Sequence, residues 1–249
     1  MRFPFQAAEP VRATRQPARA AIPEIVGASV AAEYRPVRVG GDFYDFVQIS
    51  PARIVLVLLD IAGKRGPAMD VAAAVQDAFR IKASELFSPV ECNHTVALDL
   101  LFIEMNRALR AASGGVRYCP GFLASYEADL GTLYYVNAGH HPGLIRDGGG
   151  ITALASTGLP LGLFHHATHE AQVSVITPGA SFVLVSKGFV EAKSHRQEFG
   201  IDRLRETYAT LQFRDAKELC AGLLDALNKF TAGASPANDM TAVALVRNP

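Results

Sequence analysis

The sequence predicts an α+β protein, because its strand-like and helix-like patterns lie in separate blocks. Strand patterns dominate residues 25–59, two long helical patterns follow, and further strands begin at Gly121 before a second pair of helices. Alternating strands and helices would have indicated a parallel sheet, whereas segregated blocks indicate an α+β fold. With 249 residues and 49% hydrophobic content, the chain is long enough for one large domain with a substantial core.

The first half of the chain reads as two strands followed by two helices. Residues 25–34 and 53–59 are predicted strands, and the second contains an unbroken apolar run typical of a buried strand. Residues 68–86 are rich in alanine with apolar residues at helical spacing, and Pro67 suits a first helical turn. Ser88 and Pro89 end that helix, and residues 95–111 repeat the helical pattern.

The second half changes to short strands and then returns to helices. Strands are predicted at residues 122–127, 131–138, 142–146, 172–176 and 182–186, with a hairpin turn at 129–131. Helices are predicted at 201–211 and 216–230, and a last strand at 241–246. We therefore expect a single domain at 23–249, preceded at 1–22 by a mobile or loosely docked lead-in.

Composition narrows the classes of partner and the compartment. The 24 basic and 24 acidic residues cancel, so charge gives no reason to expect nucleic acid or a membrane surface as partner. Cys92, Cys119 and Cys220 are too few and too widely spaced for a disulfide framework or a metal motif. Reduced thiols, together with the lack of a spanning or signal-type apolar segment, predict a cytoplasmic protein.

Three aspartates stand at the ends of one predicted hairpin. Asp42 and Asp45 flank a Phe-Tyr pair after two glycines, and Asp60 ends the apolar strand at 54–59. A carboxylate at the end of a buried strand needs a polar partner, and a divalent cation is a common one. These aspartates are therefore the first candidates for a functional site.

Six short motifs carry a resemblance to a known family. In chain order they are GGDFYD at 40–45, DIAGK at 60–64, NAGHHP at 137–142, GLPLG at 158–162, SKG at 186–188 and NDMT at 238–241. Together they resemble the PPM-type metal-dependent protein serine/threonine phosphatases, in particular the bacterial stage-II-sporulation-E-like branch. The resemblance covers roughly residues 23–246 and implies a β-sandwich of two mostly antiparallel sheets flanked by helix pairs.

The resemblance also implies a mechanism and assigns residues to it. Two divalent ions, manganese or magnesium, activate a water for attack on a phosphoserine or phosphothreonine. By the family pattern, Asp60 bridges both ions, and Asp42 with the Ile61 backbone carbonyl serves the second ion. Asp45 would accept hydrogen bonds behind these ligands, and we expect Asp42, Asp45 and Asp60 to converge at one end of the sandwich.

The two further ligands of the first ion are changed. The family motifs SDG and DDxT place aspartates where this chain has Lys187 and Asn238. A protonated lysine is no ligand, and asparagine offers a neutral, weaker oxygen. The neighbouring Asp239 points to the opposite face if the segment is extended, and would also lie behind the ligands. We therefore expect at most one Mn²⁺ or Mg²⁺, with the Lys187 ammonium paired to Asp60 in the first-ion position.

Three functional hypotheses follow from these residues. The favoured one is a degenerate phosphatase domain that binds a phosphorylated signalling protein, in this branch an anti-sigma-factor antagonist, with weak or no turnover. The alternative is an active phosphatase that uses one metal, with Asp60 and Lys187 as catalytic groups. A purely structural scaffold is the third, although it gives no reason to keep Asp42 and Asp60 together. Whether the protein is an enzyme stays open at this point.

The histidines are expected to be structural. His140 and His141 lie in a turn before Pro142, where the family uses a ring nitrogen to bind the backbone. His165, His166 and His169 have a spacing that would suit a helical metal site, but a solvated loop is the favoured interpretation. Arg65 and Pro120 also depart from the family pattern and would lie at the rim of the cleft.

Overall fold

The computed structural model describes residues 15–37, 41–61, 63, 65–234 and 236–249. Gly40, Ala62 and Lys64 of the motifs, the side chain of Arg65 and residues 1–14 of the lead-in lie outside the described residues. The elements, in chain order, are β1 (Ala28–Arg35), β2 (Asp42–Ser50), β3 (Arg53–Asp60), α1 (Arg65–Phe87), α2 (His94–Ser113), β4 (Gly121–Glu127), β5 (Thr132–Ala138), β6 (Gly143–Asp147), β7 (Gly150–Leu154), β8 (Gln172–Val175), β9 (Ser181–Val185), α3 (Lys187–Val190), β10 (Lys193–Ser194), β11 (Gln197–Glu198), α4 (Gly200–Thr210), α5 (Ala216–Thr231) and β12 (Met240–Arg247).

Two five-stranded sheets form the centre of the molecule. Sheet I has the strand order β2-β3-β4-β5-β8, and sheet II has the order β1-β12-β9-β6-β7. Every strand pair within them is antiparallel, as is the small ribbon β10–β11. The predicted α+β sandwich of two antiparallel sheets flanked by helices is therefore confirmed.

The core has three layers, which follow from the alternation of side chains along each strand. Between the sheets, Leu56 and Leu58 of β3 pack with residues such as Phe182 of sheet II. On the outer face of sheet I, Val57 and Leu59 pack against α1 and α2. A separate cluster joins sheet II to α4 and α5. Because β3 is covered on both faces, its apolar run is unbroken.

Local sequence signals set the ends of the helices. The side chain of Asn93 accepts a hydrogen bond from the Val96 backbone N–H at 3.2 Å and so begins α2. Gly114 ends α2 in the left-handed region, with φ of 64°. Asp215 caps α5 in the same way as Asn93 caps α2, accepting from the Glu218 N–H at 2.8 Å. In the part of the chain that the structure describes, no helix is long and apolar enough to cross a bilayer.

The described part of the lead-in is docked on α1. Arg15 donates through its guanidinium to Asp77 at 2.6 Å and through its backbone N–H to Asp70 at 2.5 Å. The Gln76 amide exchanges two hydrogen bonds with the backbone of Ala18, at 2.7 and 2.9 Å. Specific contacts therefore hold residues 15–18 on α1. The prediction of a mobile or loosely docked lead-in at 1–22 stays a prediction.

Candidate functional site

Asp42 and Asp60 face each other across two neighbouring strands at one end of sheet I. They are register partners in the β2–β3 pairing, so their side chains lie on the same face of the sheet. That face is the inner one, because the Thr241 hydroxyl of sheet II donates to Asp42 Oδ2 at 2.7 Å. The structure thus brings together the two carboxylates that the sequence placed at the ends of a hairpin.

Burial makes both carboxylates harder to ionise than an exposed aspartate. Burial raises the pKa of Asp42 well above its usual range, and the nearby charges of Asp60 and Asp239 add to that rise. The hydroxyls of Ser186 and Thr241 oppose the shift by donating to the carboxylate, but they are neutral and do not cancel its charge. Burial likewise raises the pKa of Asp60. An oxygen-rich site of this kind is suited to a hard divalent cation.

The Ile61 carbonyl is held beside these aspartates by a close approach of the two strands. The Ile61 backbone N–H donates to the Gly41 carbonyl at 3.1 Å. A Cβ built on Gly41 would overlap the Ile61 carbonyl oxygen. Glycine at position 41 is therefore required by this contact, which gives a physical reason for the second glycine of the GGDFYD motif.

Lys187 is near Asp60 but is paired elsewhere. Its Nζ lies 3.6 Å from Glu191 Oε1, one turn along the short helix α3, and its side chain is 51% exposed. The prediction that Lys187 forms an ion pair with Asp60 is therefore wrong. The ammonium still acts at longer range, because its charge lowers the pKa of Asp60 while Glu191 and Asp239 raise it.

Asn238 and Asp239 point in different directions, as alternation predicted. Asn238 is half-buried and lines a cavity of about 580 Å³ between α5 and α3. Asp239 is fully buried and accepts from the Tyr34 hydroxyl at 2.8 Å and from the Val37 N–H at 2.6 Å. The Asp239 carboxylate is thus hydrogen-bonded to residues at and just after the end of β1, so Asp239 does not take the place of Asn238 as a ligand.

Asp45 does not converge with Asp42 and Asp60, and that expectation is corrected. Being three residues after Asp42, it faces the helices on the outer side of sheet I. There it is fully buried and accepts from Arg80 Nε at 2.7 Å, from Gln76 Nε2 at 2.9 Å and from its neighbouring backbone N–H at 2.9 Å. These hydrogen bonds join β2 to α1, so Asp45 affects the positions of Asp42 and Asp60 indirectly, through the backbone of β2.

Sequence reasoning missed Glu191 and the hydroxyl groups of the site. Glu191 was not among the predicted site residues, although its position four residues after Lys187 permits an ion pair on a helix. Ser186 and Thr241 belong to the SKG and NDMT motifs, but nothing in the sequence indicated that their hydroxyl groups would donate to Asp42. In the described ranges, no three His, Cys, Asp or Glu side chains converge in a way that would hold a metal ion.

The histidines have structural contacts, with one difference from expectation. The His140 ring lies 3.0 Å from the His141 carbonyl through Nδ1, as the family resemblance implied. Burial lowers the pKa of His140 to about 4, which keeps the ring neutral at physiological pH. His165 and His166 are exposed in a loop, whereas His169 is buried against Phe102 and contacts the Leu159 carbonyl at 2.7 Å through Nε2.

Comparison with known proteins agrees with this geometry. The family model described as Stage II sporulation protein E (SpoIIE) matches residues 50–248. The Protein IcfG of Synechocystis sp. is 25% identical over 248 residues, covering 91% of this chain and 39% of that protein. The phosphoserine phosphatase RsbP of Bacillus subtilis is 23% identical over 152 residues, covering 61% of this chain and 36% of RsbP. The chain thus spans less than two fifths of the length of these two relatives.

A solved structure shows the same fold. The structure of the RsbU and RsbW domains of a Mycobacterium tuberculosis protein superposes with a TM-score of 0.74 at 23% identity. The match covers 91% of this chain and 63% of the other. From the family match over four fifths of its length, the chain belongs to the SpoIIE family of PPM-type serine/threonine phosphatase domains.

Proposed function

We propose that this chain is a phosphatase-fold domain that holds at most one divalent ion and binds a phosphorylated signalling protein with little or no turnover. The observation that carries the proposal is the electrostatic asymmetry of the site. One half offers the paired carboxylates Asp42 and Asp60, and the other half offers Lys187 and Asn238.

The first half fits a metal ion. Asp42, Asp60 and the Ile61 carbonyl would be its protein ligands, and the raised pKa values of the two aspartates would be relieved by a cation between them. Oxygen donors of this kind favour Mn²⁺ or Mg²⁺. When bound, such an ion supplies a Lewis acid for a phosphoryl oxygen. The chain's own contribution is to hold both carboxylates on one face, with Thr241 orienting Asp42.

The other half does not fit a second ion. Relative to the family pattern, Lys187 and Asn238 remove two negative charges and add one positive charge. Glu191 cancels that positive charge locally by pairing with Lys187, but its carboxylate is then occupied. A second cation would have to bind close to an ammonium and accept a neutral amide oxygen as a ligand, so we expect its affinity to be very low.

The partner we propose is a protein phosphorylated on serine or threonine, with an anti-sigma-factor antagonist as the first candidate. The family is one of serine/threonine phosphatases, and RsbP is described as a phosphoserine phosphatase. A phosphate group on such a partner would meet the cation-binding half of the site. A domain that binds the phosphorylated partner without hydrolysing its phosphate would distinguish the phosphorylated from the unphosphorylated form of that partner.

One observation favours a second candidate, an active phosphatase that uses one metal and Lys187. The positive charge of Lys187 already acts on Asp60, since it lowers the pKa of that carboxyl. An exposed ammonium at this position is able to leave Glu191 and contact a phosphoryl oxygen. In that case Lys187 would take over the charge neutralisation of the missing ion.

An assay of four proteins separates the two candidates. The parent, Lys187→Ala, the double variant Lys187→Asp/Asn238→Asp and the control Lys217→Asp are assayed with a small aryl phosphate, with manganese and with chelator. Lys217 is exposed near the start of α5, so its replacement makes a similar charge change away from the site.

Our proposal predicts an inert parent and an inert control, with manganese-dependent turnover only in the double variant. We expect its rate to exceed that of the parent by on the order of 100-fold, because stabilisation of the phosphoryl charge is restored. The single variants Lys187→Asp and Asn238→Asp, measured in addition to these four proteins, should do much less, since ligands of one ion act as a unit. A parent that turns over substrate and loses this activity in Lys187→Ala would instead establish the second candidate.

A further inference from the structure

Two neighbouring loops beside the site expose five large apolar side chains. We call them the Tyr118 surface and define it as Val116, Tyr118, Leu159, Leu163 and Phe164. Their exposed fractions are 82%, 53%, 50%, 40% and 48%. Large apolar side chains that are scattered singly need no explanation, but a group of them on adjoining segments indicates an interaction site.

The two loops are joined through their backbones. Cys119 and Leu161 exchange a pair of hydrogen bonds, N–H to carbonyl, at 2.8 and 3.0 Å. Arg110 also donates to the Gly162 carbonyl at 2.8 Å. The Asn106 side chain accepts from the Gly162 backbone N–H and donates to the Phe164 carbonyl. The apolar side chains therefore project from a braced surface, which is the kind that binds a partner with little loss of conformational freedom.

This surface adjoins the candidate metal site directly. The Asp60 backbone N–H donates to the Pro120 carbonyl at 2.9 Å, and Pro120 is only two residues after Tyr118. A Cβ on Gly63 would overlap the Arg117 guanidinium, so this loop also contacts the segment that follows Asp60. Tyr118 is therefore close to the Asp60 end of β3, because only two residues of chain, at about 3.3 Å each, separate it from Pro120.

The charge of the surface indicates what kind of partner fits. Residues 113–118 and 158–166 contain no aspartate or glutamate, while they contribute Arg117, His165 and His166. Arg110 lies between the two loops. Tyrosine and arginine are, with tryptophan, the residues enriched among interface hot spots. An apolar surface with a basic rim is complementary to a partner with apolar side chains and an acidic or phosphorylated surround.

We propose that the Tyr118 surface docks the phosphorylated protein, so that its phosphoserine or phosphothreonine enters the site at Asp42 and Asp60. This inference rests on the proposed function and adds the docking surface to it. The occupant is a folded phosphoprotein with an apolar, acidic face next to the phosphorylated residue. A free phosphoamino acid reaches the metal site but not this surface.

Binding measurements on matched variants test the proposal. The probes are a serine-phosphorylated anti-sigma-factor antagonist and free O-phosphoserine, both with manganese, and binding is followed by calorimetry. The variants are Val116→Glu and Tyr118→Ala. The control is Val90→Glu, the same substitution at a valine that is 92% exposed in the loop between α1 and α2. The melting temperature and manganese affinity of each variant establish that its fold and metal site are retained.

We expect Val116→Glu and Tyr118→Ala to weaken binding of the phosphoprotein by about tenfold or more. Val90→Glu should leave it within about twofold, and none of the three should change the weak binding of O-phosphoserine. Unchanged phosphoprotein affinity in both surface variants would overturn the docking proposal and leave the metal site intact. A parent that binds manganese but not the phosphoprotein would overturn the docking proposal and the proposed partner together, while the one-ion site would stand.

Discussion

The ion pair between Asp45 and Arg80 gives the sharpest test of how β2 is fixed to α1. Asp45 is fully buried, and Arg80 reaches it with Nε at 2.7 Å and Nη2 at 3.2 Å. In Arg80→Ala the carboxylate keeps the Gln76 amide and one backbone N–H as donors but loses its only cation among the described residues. An unpaired charge would then remain in the core.

The expected cost follows from these contacts. Removing one partner of a buried ion pair costs about 3–5 kcal/mol. The Arg80 side chain is 39% exposed, so water screens the pair and solvates part of the remaining charge. We therefore expect Arg80→Ala to lower the free energy of unfolding by about 2–3 kcal/mol. For a domain of this size, that loss corresponds to a fall in melting temperature of about 4–12 °C.

Urea unfolding at neutral pH measures this cost, with Arg107→Ala as the matched control. Arg107 pairs with Glu104 on the surface of α2 and is 68% exposed, so its loss should cost less than about 1 kcal/mol. In a background of Asp45→Asn, the cost of Arg80→Ala should shrink, because no buried charge is left unpaired. Equal losses in Arg80→Ala and Arg107→Ala would refute the reasoning.

Three further predictions concern the site and its surroundings. Gly41→Ala should cost about 1–3 kcal/mol because its Cβ overlaps the Ile61 carbonyl, whereas Gly148→Ala, with open space around its Cβ, should be nearly neutral in the same urea assay. Burial lowers the pKa of His140 to about 4, so the neutral ring contributes folding free energy that is fully present above pH 6.5 and is lost as the pH falls towards 4. Between pH 6.5 and 5 the free energy of unfolding should therefore fall by about 2 kcal/mol more in the parent than in His140→Gln, and equal losses would contradict this. The pKa of Asp42 is raised, so its charged form opposes folding at neutral pH. Asp42→Asn should therefore raise the melting temperature of the metal-free protein and abolish the further rise that manganese gives the parent. If manganese still stabilises this variant, Asp42 is not a metal ligand.

Much of the fold follows from simple patterns in the sequence. The unbroken apolar run of β3 predicted a buried strand, and the structure covers both of its faces, one with sheet II and the other with two helices. Strand β7 was not predicted, because the residues at 150–154 are mostly exposed and alternate poorly. It exists because β6 supplies a hairpin partner, which is tertiary information.

The site was partly predictable, and its two errors have different causes. Asp45 was placed with Asp42, although a separation of three residues on a strand puts two side chains on opposite faces, so the sequence already contained the correction. The pairing of Lys187 with Glu191 was less accessible. It depends on a single turn of helix, α3, that is too short to give a periodic pattern.

The pairing of Lys187 with Glu191 bears on why Asp42 and Asp60 remain in this chain. Had Lys187 bound Asp60, the ammonium would have taken the place of the lost cation and balanced the charge of that carboxylate. Instead Lys187 pairs with Glu191 at the rim, and the donors to Asp42 within the described residues are the hydroxyl groups of Ser186 and Thr241. A buried carboxylate pair without a cation opposes folding, as the raised pKa values of both groups show. A scaffold would be more stable with asparagine at position 42, so the carboxylate pair fits the proposed cation-binding role better than a purely structural one.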